Sequence, residues 1–313
     1  MMMRQNRRMN RREMILRTGA AALGLGLANW PLNAAAQPKT RKVLFFSKSS
    51  DFEHSVIKRN GSEPSYAEKI LAELGPKHGI EFTFSKDGSL FTPEYLTKFD
   101  ALFFYTTGDL TSAGNDKNPP MTPAAKAAFL DAINKGKGFI GIHSATDTFH
   151  TKEPAGFNTG DRTQRYQNYG DKADPYIQML GAEFIIHGNQ QKAKMHVTDP
   201  KFPGMPRDDF ELMDEWYSLK DFAKNLHVLL VQETEGMTGK PYQRPPFPAT
   251  WARMYGKGRV FHTSMGHRED VWTNPLFQEI LFGGVAWAVR NVNADVTPNI
   301  EKVTPRCNEL PPA

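Results

Sequence analysis

Five histidines of this 313-residue chain fall at or beside the ends of short strand-like runs: His54, His143, His187, His196 and His267. Imidazole exchanges its proton near neutral pH and is the commonest ligand of divalent metals, so such a set suits either proton transfer or metal binding. Acids stand at the same places, namely Asp51, Glu53, Asp147, Asp214 and Glu215. The other histidines invite plainer readings. His78 lies at a helix end, and His227 and His262 lie inside strand-like runs, where imidazoles commonly pack or hydrogen-bond for structure. His150 opens a long polar segment and is left undecided.

His143 is the residue around which the rest is organised. Phe139 to Ile142 is an apolar run too short for a helix and bounded by Gly138, which reads as a buried strand of a parallel sheet. His143 stands at its carboxyl end. In open α/β sheets the ligand crevice lies outside those ends, and a sharp turn there exposes one side chain to it.

Elements able to hold such a residue alternate along the first half of the chain. Strand-like runs occur at 41–46, 80–84, 101–105 and 139–142. Between them, Ser65 and Glu68 have capping-box spacing ahead of an apolar helix face, Thr92-Pro93 opens a short helix, and Thr122-Pro123 opens a longer one that ends at Gly136. This alternation predicts a flavodoxin-like α/β fold: a single domain with a doubly wound, mainly parallel sheet and helices on both faces. Residues 151 to 174 form a polar connector long enough for a lid or a surface insertion. Beyond a short helix at 176–180, further strand-like runs follow at 183–187, 193–198, 211–217, 227–232, 248–254 and 259–264, and a closing helix at 277–289.

The ends of the chain read differently. Arg11-Arg12, a mildly apolar stretch from Thr18 to Trp30 and Ala34-Ala35-Ala36 have the order of a twin-arginine export signal over residues 1–36. That assigns residues 37–292 to the domain and 293–313 to a Pro-containing tail, with a periplasmic or secreted destination and the export machinery as a partner. The leader carries six arginines and one acid of the 39 bases and 34 acids, so 33 of each remain after cleavage. A mature chain near neutrality gives no global attraction to nucleic acid or anionic membrane. No later stretch has the length or apolarity of a membrane anchor. The single cysteine, Cys307, excludes an internal disulfide, and its place in the tail predicts poor packing.

Several words, in order, resemble the trehalose-utilisation (ThuA-like) family. They are Asp51-Phe52-Glu53-His54-Ser55, Gly141-Ile142-His143-Ser144-Ala145-Thr146-Asp147, Gly181-Ala182-Glu183-Phe184 with His187, Asp214-Glu215-Trp216-Tyr217, Ala249-Thr250-Trp251, and Tyr255-Gly256-Lys257-Gly258-Arg259 with Gly266-His267. The match runs from about Arg41 to Asn291. The resemblance implies a fold similar to class I glutamine amidotransferases, with His143 at the elbow position of the nucleophilic cysteine. It also implies carbohydrate metabolism involving disaccharides and their 3-keto derivatives. Without a thiolate at the elbow, glutamine hydrolysis is not expected.

Two readings of the histidines stay open. His54, His143 and His267 could hold one divalent metal ion, zinc or similar, leaving a position for substrate or water. Alternatively, His143 and Glu215 act as catalytic acid and base without metal. Adjacent strand residues point to opposite faces, so only one of Asp214 and Glu215 can enter the site. The resemblance favours Glu215.

Asp147, His187, Trp216 and Trp251 are the candidate substrate contacts, since an aromatic face can stack on a sugar while polar groups fix its hydroxyls. The leading expectation is an exported hydrolase or lyase acting on a 3-keto-glycoside, whose ketone acidifies the neighbouring C2 proton. The rival is a non-catalytic sugar-binding or accessory protein using the same crevice.

Overall fold

Alternating burial along β1 (Arg41–Phe46) shows how the molecule is layered. Val43 and Phe45 enter one apolar core while Leu44 and Phe46 enter another, as the two-residue period of a strand requires. The same alternation runs through β3 (Ala101–Phe104) and β4 (Gly138–Ile142), so the sheet is covered on both faces. The computed structural model describes residues 40–151 and 162–313. The expected leader therefore lies outside the described residues, as does part of the 151–174 connector.

On the first face lie α1 (Tyr66–Leu74) and the long α6 (Pro275–Ala288). The Ser65–Glu68 capping box is formed: the Glu68 amide donates to Ser65 Oγ (3.3 Å) and the Ser65 amide to Glu68 Oε2 (2.8 Å). On the second face lie α2 (Pro93–Leu96), α3 (Pro123–Asn134) and α4 (Pro175–Leu180). A four-residue helix, α5 (Glu269–Trp272), leads into α6.

The nine-stranded sheet includes β2 (Ile80–Ser85), β6 (Gln191–Val197), β7 (Phe210–Asp214), β9 (His227–Gln232), β10 (Phe247–Tyr255) and β11 (Gly258–Thr263). Its order is β2-β1-β3-β4-β11-β10-β9-β6-β7. The pairings from β2 through β11 are parallel, which gives the flavodoxin-like 2-1-3-4-5 order with β11 as the fifth strand. From β11 outward every pairing is antiparallel, so the doubly wound unit is extended by an antiparallel half.

The single strand expected at 211–217 is two. β7 belongs to the large sheet, and β8 (Tyr217–Lys220) pairs instead with β5 (Glu183–His187) in a separate two-stranded sheet. The chain changes sheets at Glu215 and Trp216.

The tail also departs from expectation. Ile300, on α7 (Ile300–Val303), and Cys307 are buried in a third apolar cluster with Trp251 and Phe247. Asn299 bonds both backbone groups of Val228, and Arg244 donates to the Cys307 carbonyl. Residues beyond 292 thus finish the antiparallel half, and Cys307 is a packed core thiol.

Candidate functional site

His143 has φ of 44°, in the left-handed region that non-glycine residues seldom occupy. Holding a β4-to-turn corner in that conformation costs about 1–3 kcal/mol, a cost met by burial on every side. The corner presents the ring beyond the sheet. Its Nδ1 donates to the Ser264 carbonyl (3.0 Å), so in the neutral ring the Nε2 lone pair faces inward.

Three other side chains converge on that lone pair. His143 Nε2 lies 3.5 Å from Glu215 Oε2 and 3.3 Å from His267 Nδ1, and His267 Nδ1 lies 3.0 Å from Glu215 Oε2. His54, in the turn after β1, stacks its ring edge-on at 5.0 Å from His143 and 5.1 Å from His267. One ligand atom from each of His54, His143, Glu215 and His267 lies within 4.8 Å of all the others. The described residues thus contain a compact three-histidine, one-carboxylate cluster at the carboxyl ends of β1, β4 and β11.

Each arm is fixed from behind. Asp214 is fully buried and accepts from the amides of Gly266 (2.7 Å) and Glu215 (2.9 Å), so it braces the loop that carries His267. The Gly266 carbonyl accepts from Tyr105 Oη (3.0 Å) and Trp272 Nε1 (2.8 Å). Gly266 itself sits at φ 116°, where a side chain would be strained and would press on Ile142. Tyr217 lies with its ring 4.3 Å from that of His143 and its hydroxyl 3.4 Å from His54 Nε2.

Electrostatics follow from this packing. Burial alone would raise the Glu215 carboxyl, but the His143 and His267 imidazoles packed against it outweigh burial and hold the group well below the usual carboxylate range. Burial likewise opposes charge on His267, yet the Glu215 carboxylate raises it overall. His54 is driven well below the usual imidazole range, first by burial and then by the neighbouring histidines. His54 is therefore a neutral ring, the form that binds metal.

His54, Glu215 and His267 line a crevice of about 410 Å³, with His143 fully buried next to them, and the crevice is also lined by Asp51, Phe52, Asn115, Asp147, Phe184 and His187. Asp147 and His187, expected as substrate contacts, stand there. Trp216 and Trp251 do not. Both are wholly enclosed, with Trp216 Nε1 donating to the Gln191 carbonyl and Trp251 Nε1 to the Leu180 carbonyl, so neither face is open to a sugar. His196 pairs with Asp209 (2.8 Å), away from the crevice.

Phe52, on the crevice wall, was not singled out as a site residue in the sequence, and His150, left undecided there, finds a place. Phe52 is the most exposed large apolar residue described, at 62%. His150 lies behind Asp147, with Nε2 2.7 Å from Asp147 Oδ1 and Nδ1 3.0 Å from Glu183 Oε1. Its position at the start of a loop carries no periodic signal.

The parallel sheet, elbow and crevice define a flavodoxin-like α/β protein whose elbow residue is an imidazole. The family model described as ThuA, trehalose utilisation, matches residues 42–288, and the chain belongs to that family. The family links it to carbohydrate metabolism. Among solved structures, a ThuA-like protein from Parabacteroides merdae superposes with a TM-score of 0.54 at 19% identity, covering 82% of this chain and 92% of that one. Another ThuA-like protein, from Bacteroides uniformis, gives 0.53 at 18%, covering 83% and 95%. A cytoplasmic protein from Salmonella typhimurium gives 0.50 at 15%, covering 81% and all of its own chain. At these identities the likeness is one of fold. No curated protein matches the sequence.

Proposed function

We propose that this crevice processes a sugar carrying a ketone, and that His54, His143, His267 and Glu215 hold a divalent metal ion at its floor. The observation that supports this reading is the convergence of the four donors. With the Ser264 carbonyl taking the Nδ1 hydrogen of His143, Nε2 faces a Glu215 oxygen 3.5 Å away, a gap that a proton or a metal ion can bridge. Zinc–ligand bonds of about 2.1 Å are compatible with the 3.0–3.5 Å separations among His143, Glu215 and His267, and a His54 ring nitrogen lies within 4.8 Å of all three. A divalent ion held by these residues with one further position open to substrate would polarise a ketone oxygen and acidify the adjacent C–H.

On this reading His143 and Glu215 serve as ligands, and proton transfer passes to the wall. His187 is suited to act as the base. Its Nδ1 faces two acceptors, the Gly188 carbonyl (3.0 Å) and Glu215 Oε1 (3.3 Å), so the neutral ring carries its hydrogen there and keeps an Nε2 lone pair. The His187 side chain is 41% exposed and lines the crevice. In a 3-keto-glycoside it would take the C2 proton as the C2–H pair becomes the C1=C2 bond and the C1–O bond breaks. The leaving oxygen needs a proton. Asp51, raised first by burial and then by Asp147, is the wall group suited to keep one.

The test is release of the C1 substituent from a 3-keto-glycoside by metal-supplemented protein. Turnover with stoichiometric release supports the reading. Binding of the keto-glycoside without any release would replace it with the sugar-binding alternative.

A further inference from the structure

Two guanidinium groups are buried in the antiparallel half, and their hydrogens are spent differently. Each leaves Nε buried without a partner, but Arg244 donates from both of its Nη atoms, to Ser218 Oγ (2.9 Å) and to the Leu219 and Cys307 carbonyls. Arg253, on β10 and only 6% exposed, donates among the described residues from Nη1 alone, to the Gln178 carbonyl (2.7 Å). No carboxylate among the described residues forms an ion pair with it. Burial pushes the guanidinium down to about 10, partly offset by Tyr255. The backbone makes room for this group, because Gly181 sits at φ 105° and an added Cβ there would lie 3.1 Å from Arg253 Nη1 and 2.7 Å from Leu226 Cδ2.

A buried charge is costly unless something pairs with it. Arg253 lines a cavity of about 660 Å³ that shares no lining residue with the crevice over the histidines, so an anion can reach it from there. The other walls narrow the class of anion. Lys224, exposed and in no ion pair among the described residues, adds a second positive charge. Asp171 and Asp221 line the cavity too, and Asp221 Oδ1 is committed to the amides of Tyr169 (2.6 Å) and Gly170 (2.8 Å). Two acids on the wall disfavour a dianion such as phosphate, whereas a single carboxylate matches the planar fork of a guanidinium. Ile177 and Phe222 offer apolar surface to a carbon body.

We infer that this cavity is a second ligand site, which binds a small organic monocarboxylate through Arg253 and seats its carbon body against Ile177 and Phe222. The site is independent of the chemistry proposed for the histidine crevice. It joins α4, the loop after β8 and β10, so its occupant ties the small sheet to the large one.

The experiment is calorimetry on the full, metal-supplemented protein with acetate, benzoate, gluconate and inorganic phosphate, at matched ionic strength. At least one of the three carboxylates is expected to bind saturably and to raise the Tm, with phosphate about tenfold weaker or more. Arg253→Gln keeps a donor for the Gln178 carbonyl but removes the charge, and should weaken the carboxylate about a hundredfold or more. Should that variant fail to fold, Lys224→Glu decides, since it alters an exposed side chain and is expected to weaken binding about threefold. Saturable binding of none of the three carboxylates by wild type would overturn the inference, and phosphate binding as tightly as they do would overturn the monocarboxylate assignment. Affinity that survives both substitutions would place the carboxylate elsewhere, such as on the metal of the histidine cluster, and would equally refute it.

Discussion

Residue by residue, the site is governed by where hydrogens sit. The Ser264 carbonyl fixes the His143 proton on Nδ1, and Gly188 with Glu215 fixes that of His187 on the same atom. One ring therefore turns its lone pair into the cluster and the other keeps one on the wall. Replacing His187 by Gln keeps hydrogen bonding but removes proton transfer near neutrality. Turnover on a keto-glycoside is expected to drop roughly a hundredfold with bound metal unchanged. An unaltered rate would hand the base role to another wall residue, such as Asp147. His54, His143, His187 and His267 were all legible as candidates because each ends or follows an apolar run. Phe52, lacking any pattern, was not, and the tryptophans misled because an aromatic near a strand end looks the same whether its face is open or packed.

At the scale of elements, the junction of β7 and β8 matters most. An unbroken strand over 211–217 would set Asp214 and Glu215 on opposite faces of one sheet. The break instead lets the two acids act separately, with Asp214 bracing the His267 loop and Glu215 entering the cluster. The runs in the sequence could not reveal this, since both halves are strand-like and only tertiary pairing separates them.

The elbow turn after β4 has its own anchor in His150. Although burial opposes its charge, hydrogen bonds to Asp147 and Glu183 push it up to about 10, and Lys220 approaches Glu183 at 3.5 Å. Raised above the unfolded value of about 6.5, His150 contributes stability that is fully present below about pH 6.5 and is lost as pH rises through about 10. Between pH 7 and pH 10.5 the Tm of wild type should fall about 5 °C further than that of His150→Gln. Parallel decline of the two proteins would show that His150 is not held charged.

For the whole molecule, the parallel half was legible down to its helix caps because β-α alternation, Pro starts and Gly stops all agree over residues 41–142. The antiparallel half was legible only as strand-like runs. Its order, β10-β9-β6-β7, depends on pairings that local pattern does not encode, and the closing of the tail over Val228 and Arg244 depends on them in turn. Among the described residues no helix is long and apolar enough to cross a membrane. The proposal of twin-arginine export rests on residues 1–36 alone, and export of folded cargo is compatible with a metal acquired beforehand.

That metal is the central claim, and elemental analysis of the purified protein tests it most directly. After exposure to zinc or manganese and removal of excess, wild type is expected to retain about one ion per chain. His54→Ala, His143→Ala and His267→Ala should each fall well below that, and chelation should lower the wild-type Tm. Wild type that retains no ion from any divalent metal offered, with a Tm indifferent to chelator, would contradict the claim and leave the cluster as a hydrogen-bonded acid–base group.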